Sequence, residues 1–458
     1  MGRLFAWIEP WHVAFFLANL VMGTSSILIP LKLDRILLQG PSRLGLLSAA
    51  ASVAAVIGSL SWGRLSDAVH RRKAFVVVSY LVVGISHCGL ALSTTYAALL
   101  MHNALLSLFW VANASVAVLL VIEKTDQSTW ESRISALNLS GALGWLFGLV
   151  VGGGIVTTVL GLLSDRLGIQ VLLLGLGVTA FTAAGLAAWL LPSTEPTFTE
   201  RKFRGIMIAV GNLLVEAWRF NPLHLYHRFS LRRLPGLRRQ TKVFLLASFL
   251  AFTGIGFFAV PLVLLLSQKL GYSPSMVFFG YVFLHSGIVL AYPFALHRIR
   301  RKGNRQVQIG ALSARLVLFV LAGGLLWTDV RIPWAAAVPF LFLVGTTWSF
   351  FQLSGVALAS RLAAPENRGL ALGTYNAVAG ASAIIAGVGS GYLAQLVGHH
   401  ATYLVSATLL FLAVIVLGKL PDPVFLRLDT TAGNPTASPL RSQELVRDAE
   451  AGDGHEGK

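Results

Sequence analysis

The chain has 458 residues, 55% of them hydrophobic and 12% charged, with a formal charge of +17. A water-soluble globular protein gives about a quarter of its residues to charge, so half that share excludes an ordinary soluble fold and requires a surface that faces lipid. The single cysteine, Cys88, excludes a disulfide framework and a thiolate metal cluster.

Apolar runs long enough to cross a hydrocarbon core of about 30 Å recur along the chain. The opening MGRLFAWIEP leads into the first run with no small-residue cleavage site, which predicts an uncleaved first span. Ala6 stands where a myristoylation signal wants Ser or Thr. In chain order the predicted helices cover 11–32, 43–63, 73–93, 96–122, 134–160 and 168–192, then 242–266, 274–296, 306–327, 333–359, 369–397 and 399–419. This divides the chain into a six-helix bundle (1–192), a polar linker (193–241), a second six-helix bundle (242–419) and a tail (420–458) expected to be mostly disordered. Within the linker, Ile206, Val210, Leu213, Leu214 and Trp218 recur near helical spacing between basic ends, predicting a helix on the membrane surface that serves as a tether or a regulatory latch.

With the N-terminus inside, inner segments hold 29 of the 36 Lys and Arg residues and outer segments six, while Arg315 falls within the ninth helix. That asymmetry places both termini in the cytoplasm of a cell membrane. It also accounts for the basic charge, including RRLPGLRRQTK at 232–242, through topology and anionic headgroups, so no nucleic-acid partner is expected. There is no nucleophile elbow, phosphate loop or His-Glu-x-x-His run, so no enzyme, cofactor or metal site is expected.

Polar residues inside spans are costly and mark candidate sites. No Asp or Glu falls at the middle of a span; the titratable candidates are Asp34 and Glu123 near helix ends and His87, His102 and His285 within spans. His285 and Arg315 lie at similar depth, so Arg315 either bonds His285, holds an anionic solute, or snorkels to the headgroups. Gly144, Gly148 and Gly152 recur every four residues and form one face of the fifth helix, with Gly387 and Gly391 as a sparser set in the eleventh.

The two halves share traits. WESR before the fifth helix and PENR before the eleventh both run acid, one residue, Arg, then small residues. Between the second and third helices, GRLSDAVHRRK spends five charges in eleven residues. An orienting device explains its cations but not Asp67; a breakable latch explains both.

That stretch resembles the loop signature of the major facilitator superfamily, matching at Gly63, Asp67, Arg71 and Arg72 and departing at Ala68 and His70. The resemblance implies twelve transmembrane helices in two pseudo-symmetric six-helix bundles, an all-α membrane fold, with these four residues at a cytoplasmic gate. GWLFGLVVGG (144–153) resembles the antiporter-associated signature of the same family, with Leu149 in place of proline; generic helix packing explains the glycines equally well. The family's central cavity would then be lined by Asn19, Asn103, Asn113 and Gln352, with Trp110 and Trp348 one turn from Asn113 and Gln352. An aromatic beside an amide suits a bulky, partly apolar solute, although amides also tie helices together.

The resulting expectation is a monomeric secondary transporter of a small-molecule solute, exporting an amphipathic, drug-like compound in exchange for protons. Uptake or uniport of a sugar, carboxylate or other metabolite is the alternative within the fold. A receptor or scaffold, or a lipid-modifying membrane enzyme, is the alternative outside it.

Overall fold

The computed structural model describes residues 9–69, 72–124, 130–191, 237–328, 330, 332–363 and 367–420. Among these residues every regular element is helical, and twelve helices are long and apolar enough to cross a membrane. They are α1 (His12–Arg35), α2 (Pro41–Val69), α3 (Arg72–Leu92), α4 (Tyr96–Lys124), α5 (Trp130–Leu162) and α6 (Asp165–Leu190), then α7 (Arg239–Ala259), α8 (Pro274–Lys302), α9 (Asn304–Trp327), α10 (Trp334–Arg361), α11 (Arg368–Leu396) and α12 (His399–Gly418). The linker helix expected at 203–220, the tail beyond Leu420, Arg71 and the side chain of Asp67 lie outside the described residues.

Three departures from the sequence reading have physical causes. The seventh helix, expected unbroken over 242–266, stops at Ala259; one turn (Leu262–Leu264) and a π-helical turn (Leu265–Lys269) complete the span. Pro261 follows the break, as proline lacks the amide hydrogen and its ring collides with the carbonyl one turn back. The second and eighth helices run past their apolar stretches, to Val69 and Lys302. Charge ends an apolar run without ending a helix, and Arg300, Arg301 and Lys302 complement the negative C-terminal end of α8. Gly303, at φ +81°, then reverses the chain in a conformation that costs a side-chain-bearing residue, and α9 starts at Asn304. Gly63 and Asp67 therefore sit inside α2 rather than in a loop. Arg72, expected at the headgroups, opens α3 and is 4% exposed.

The packing pairs establish the symmetry. In the first half α1 packs on α5 and α6, α2 on α4, and α3 on α4 and α6. In the second, α7 packs on α11 and α12, α8 on α10, and α9 on α10 and α12. Adding six to each number in the first set gives the second. The halves meet through α2 with α11 and through α5 with α8, and exchange of the halves turns one pair into the other. The whole is two related bundles about a pseudo-twofold axis.

Lipid tails are as apolar as leucine, so these helices associate by close packing rather than by hydrophobic expulsion. The glycine stripe of α5 provides it: a Cβ at Gly144 or Gly148 would overlap the backbone carbonyl of Phe16 or Leu20 in α1. At the next turn Gly152 rests on Thr24, whose hydroxyl donates to the Gly148 carbonyl at 2.7 Å. This packing accounts for the three glycines without a special role in exchange. Gly387 and Gly391 do different work: they face Gly45 and Ala49 of α2, across the divide between bundles.

Candidate functional site

The Gly144 stripe turns toward α1, so the next residue, about 100° further round the helix, points elsewhere. Trp145 meets α8 of the opposite bundle, its ring stacked on His285 with centroids 6.1 Å apart and planes at 28°. Tyr281, one turn before His285, stacks on the same imidazole at 6.4 Å and 25°. His285 Nδ1 lies 2.9 Å from the Tyr281 carbonyl. A carbonyl only accepts, so Nδ1 carries the hydrogen and Nε2 is left as an acceptor in the neutral ring. Trp145 Nε1 is buried with no hydrogen-bond partner. An orphaned buried donor costs about 1–3 kcal/mol, and such groups are few in folded proteins. Across one seam the two bundles thus bring a flat aromatic surface, a free donor and a free acceptor together. Sequence reasoning singled out His285 but neither Trp145 nor Tyr281; the glycine stripe was the available signal, since it fixes which way Trp145 points.

The other expected cavity residues separate into two kinds. Asn113, 4% exposed, accepts from the Tyr80 hydroxyl at 2.6 Å, and Asn103, 9% exposed, donates to the Leu47 carbonyl at 3.5 Å. Both amides tie α4 to its neighbours α3 and α2, the alternative role that an amide within a span can take. Trp110 packs against the buried hydrophobic clusters. Asn19 is half-buried, bonds its own helix at Phe15 and lies beside Gly141 of α5. Gln352 keeps a buried Oε1 without a partner, and Trp348 lies one turn before it.

Arg315 is 2% exposed, so it does not snorkel, and it makes no bond to His285. Its guanidinium donates to Thr347 Oγ1 at 2.9 Å and the Val344 carbonyl at 2.5 Å, with the Trp348 and Phe319 rings 5.8 and 5.9 Å away. From residue 237 to residue 420 the sequence holds two acids, Asp329 and Glu366, both outside the described residues. A hydroxyl, a carbonyl and two π faces therefore solvate this buried charge.

At the face of the α1–α2, α7–α8 and α11–α12 connections the bundles are latched. Asp34 accepts from Ser267 Oγ at 2.9 Å and from Gln268 Nε2 at 2.6 Å, joining the end of α1 to the π turn after α7. The Ser42 amide donates to Gln395 Oε1 at 3.1 Å, and from there the α2–α11 seam runs inward through Gly391, Gly45, Gly387 and Ala49 toward Val56 and Gly380. Asp34 thus bonds across the bundles at the rim. On the same face Lys32, expected in an outer segment, is 2% exposed; its ammonium caps the C-terminal carbonyls of α3 at Leu90 and Ala91, because its long stem reaches back through the bundle.

The family model of the Major Facilitator Superfamily matches residues 12–354 and 244–450. The chain belongs to the Major Facilitator Superfamily. No curated protein matches it in sequence. Among solved structures, the inward-open form of the xylose transporter XylE from E. coli aligns with a TM-score of 0.67 at 14% identity, over 91% of this chain and 97% of that one. The nucleoside transporter NupG aligns with a TM-score of 0.64 at 14% identity, over 90% and 98%. The human organic anion transporter MFSD10 aligns with a TM-score of 0.57 at 16% identity, over 89% and 98%. These likenesses establish the fold, and membership of the family makes the chain a multi-pass membrane transporter.

Proposed function

We propose that this member of the superfamily exports an amphipathic small molecule in exchange for protons, by alternating access about the Trp145–His285 seam. The observation that carries the reading is the pairing of an unpartnered indole N–H from one bundle with an imidazole Nε2 from the other. A solute with an aromatic or alicyclic body and one polar edge would stack on the rings, accept from Trp145 and donate to His285. Imidazole is also a group that takes and releases a proton near neutral pH, which gives the exchange a carrier where no carboxylate stands at mid-span. In the arrangement described, the Asp34 latch and the glycine seam close one face. The gate on the opposite face is assigned to the signature residues Gly63, Asp67, Arg71 and Arg72 on the strength of the family resemblance, and the halves rock so that one gate opens as the other shuts. The Lys and Arg distribution supports a latched face outside a cell membrane and both termini inside, with the protein working as a monomer.

The test is flux in proteoliposomes of known orientation, screened with fluorescent amphipathic cations, drugs and sugars, with and without a pH gradient. The reading requires accumulation driven by the gradient in wild type. In H285Q it requires solute exchange to survive while gradient-driven accumulation is lost. A second reading, uptake or uniport of a polar metabolite, is favoured by the same absence of a mid-span carboxylate; it requires flux of a sugar or carboxylate that ignores the pH gradient. No movement of any solute would leave a receptor or scaffold.

A further inference from the structure

On the face of the α8–α9 connection a groove of about 1020 Å³ runs between α8, α9 and α10. It is separate from the seam between bundles, since α9 lies on the far side of its own bundle, against α10 and α12. Its mouth carries His297, Arg298 and Lys302, all exposed, and no acid lines it. Among the described residues Arg298 and Lys302 form no hydrogen bond or ion pair. Its body is apolar and open to the membrane, with Phe294 69%, Val317 56% and Leu343 47% exposed. Its floor dips where α9 presents small residues, Gly310 and Ala314, one turn apart. A Cβ placed on Gly310 would meet nothing within 4 Å. From Gln306 to Val317 the groove follows α9 for roughly 17 Å at about 1.5 Å per residue. One leaflet of a hydrocarbon core about 30 Å thick is half that thickness, so the groove has the length of a single acyl layer.

We propose that this groove is a binding site for one anionic phospholipid, its phosphodiester held by Arg298 and Lys302 and one acyl chain lying in the furrow over Gly310 and Ala314. Cations alone at a helix C-terminus would serve the helix dipole. They would not require the apolar trough that continues from them, and an ordinary annular lipid would show no preference for a charged headgroup.

Native mass spectrometry of the full-length protein, titrated with phosphatidylglycerol and with phosphatidylcholine of the same chains, tests the assignment. Expected is one phosphatidylglycerol retained at least tenfold more strongly than phosphatidylcholine. R298Q/K302Q should reduce that preference to near unity. G310L, whose Cβ meets no neighbouring atom within 4 Å and whose side chain enters the trough, should weaken phosphatidylglycerol tenfold while leaving the melting midpoint unchanged. Equal retention of the two lipids, or full retention in G310L, would overturn the site. So would displacement of the lipid by glycerol phosphate at equal concentration, which would show that the acyl chain contributes nothing. None of these readouts depends on the identity of the transported solute.

Discussion

Arg315 poses the sharpest energetic question at the scale of single residues. A buried charge without an opposite partner is expensive, and replacing it with an apolar side chain of similar volume often leaves a protein as stable or more so. R315M should therefore match or exceed the wild-type melting midpoint. T347V, which strips the guanidinium of its hydroxyl, should lower stability by about 2 kcal/mol through an unsatisfied buried donor. If R315M melts lower than T347V, the hydroxyl, carbonyl and aromatic faces solvate the charge better than argued. Asp34 is a milder case. Its two bonds to Ser267 and Gln268 are charge-assisted but partly solvated, so D34N should shift the ratio of latched to unlatched forms by about 1 kcal/mol, or roughly fivefold. Alkylation of a cysteine introduced at Ser42, whose own bond across the rim is made by its backbone amide, in a chain with Cys88 replaced would read that shift; an unchanged rate would mean the rim does not hold the bundles.

Elements show why part of the molecule was legible and part was not. The apolar runs located all twelve spans, because the bilayer admits only segments that satisfy their own backbone bonds. The same runs misplaced the ends of α2 and α8, since a helix entering water continues through Arg64 and Asp67, or through Arg298 and Arg300, without an apolar residue to mark it. The break in α7 was written in Pro261 but reads equally as a tolerated proline in a membrane helix. The site was less visible. Residue type does not show whether the amides of Asn103 and Asn113 face a cavity or a neighbouring helix; the bonds they make, to the Leu47 carbonyl and from the Tyr80 hydroxyl, come only from the packing. The α5 stripe, by contrast, supports a direct prediction. G148L would drive a side chain into the Leu20 carbonyl of α1, and overpacking of a tight contact costs about 3 kcal/mol. Purified G148L should aggregate or melt well below wild type, whereas G154L, where a Cβ meets nothing within 4 Å, should not.

Over the whole molecule, the two bundles meet along two seams, α2 with α11 and α5 with α8, and the latched face offers a test of whether they rock as proposed. With Cys88 replaced, S42C/Q395C places two thiols where the Ser42 amide now meets the Gln395 side chain. Oxidation should stop flux and reduction should restore it, while in either single-cysteine chain the oxidant should leave flux unchanged. Undiminished transport in the oxidised pair would show that the α2–α11 face never parts during turnover.

The Gly45–Gly387–Gly391 contact also bears on speed. Where bulky side chains interlock, separating two surfaces means withdrawing each knob from its socket, and the barrier grows with every one. Here main chain rests on main chain, so the surfaces resemble a smooth bearing that rolls apart with little friction. The resistance then sits in a handful of polar fasteners at the edge. Turnover rate should accordingly be tuned by the chemistry of those few side chains, and temperature should affect it as it affects breaking hydrogen bonds rather than melting a core.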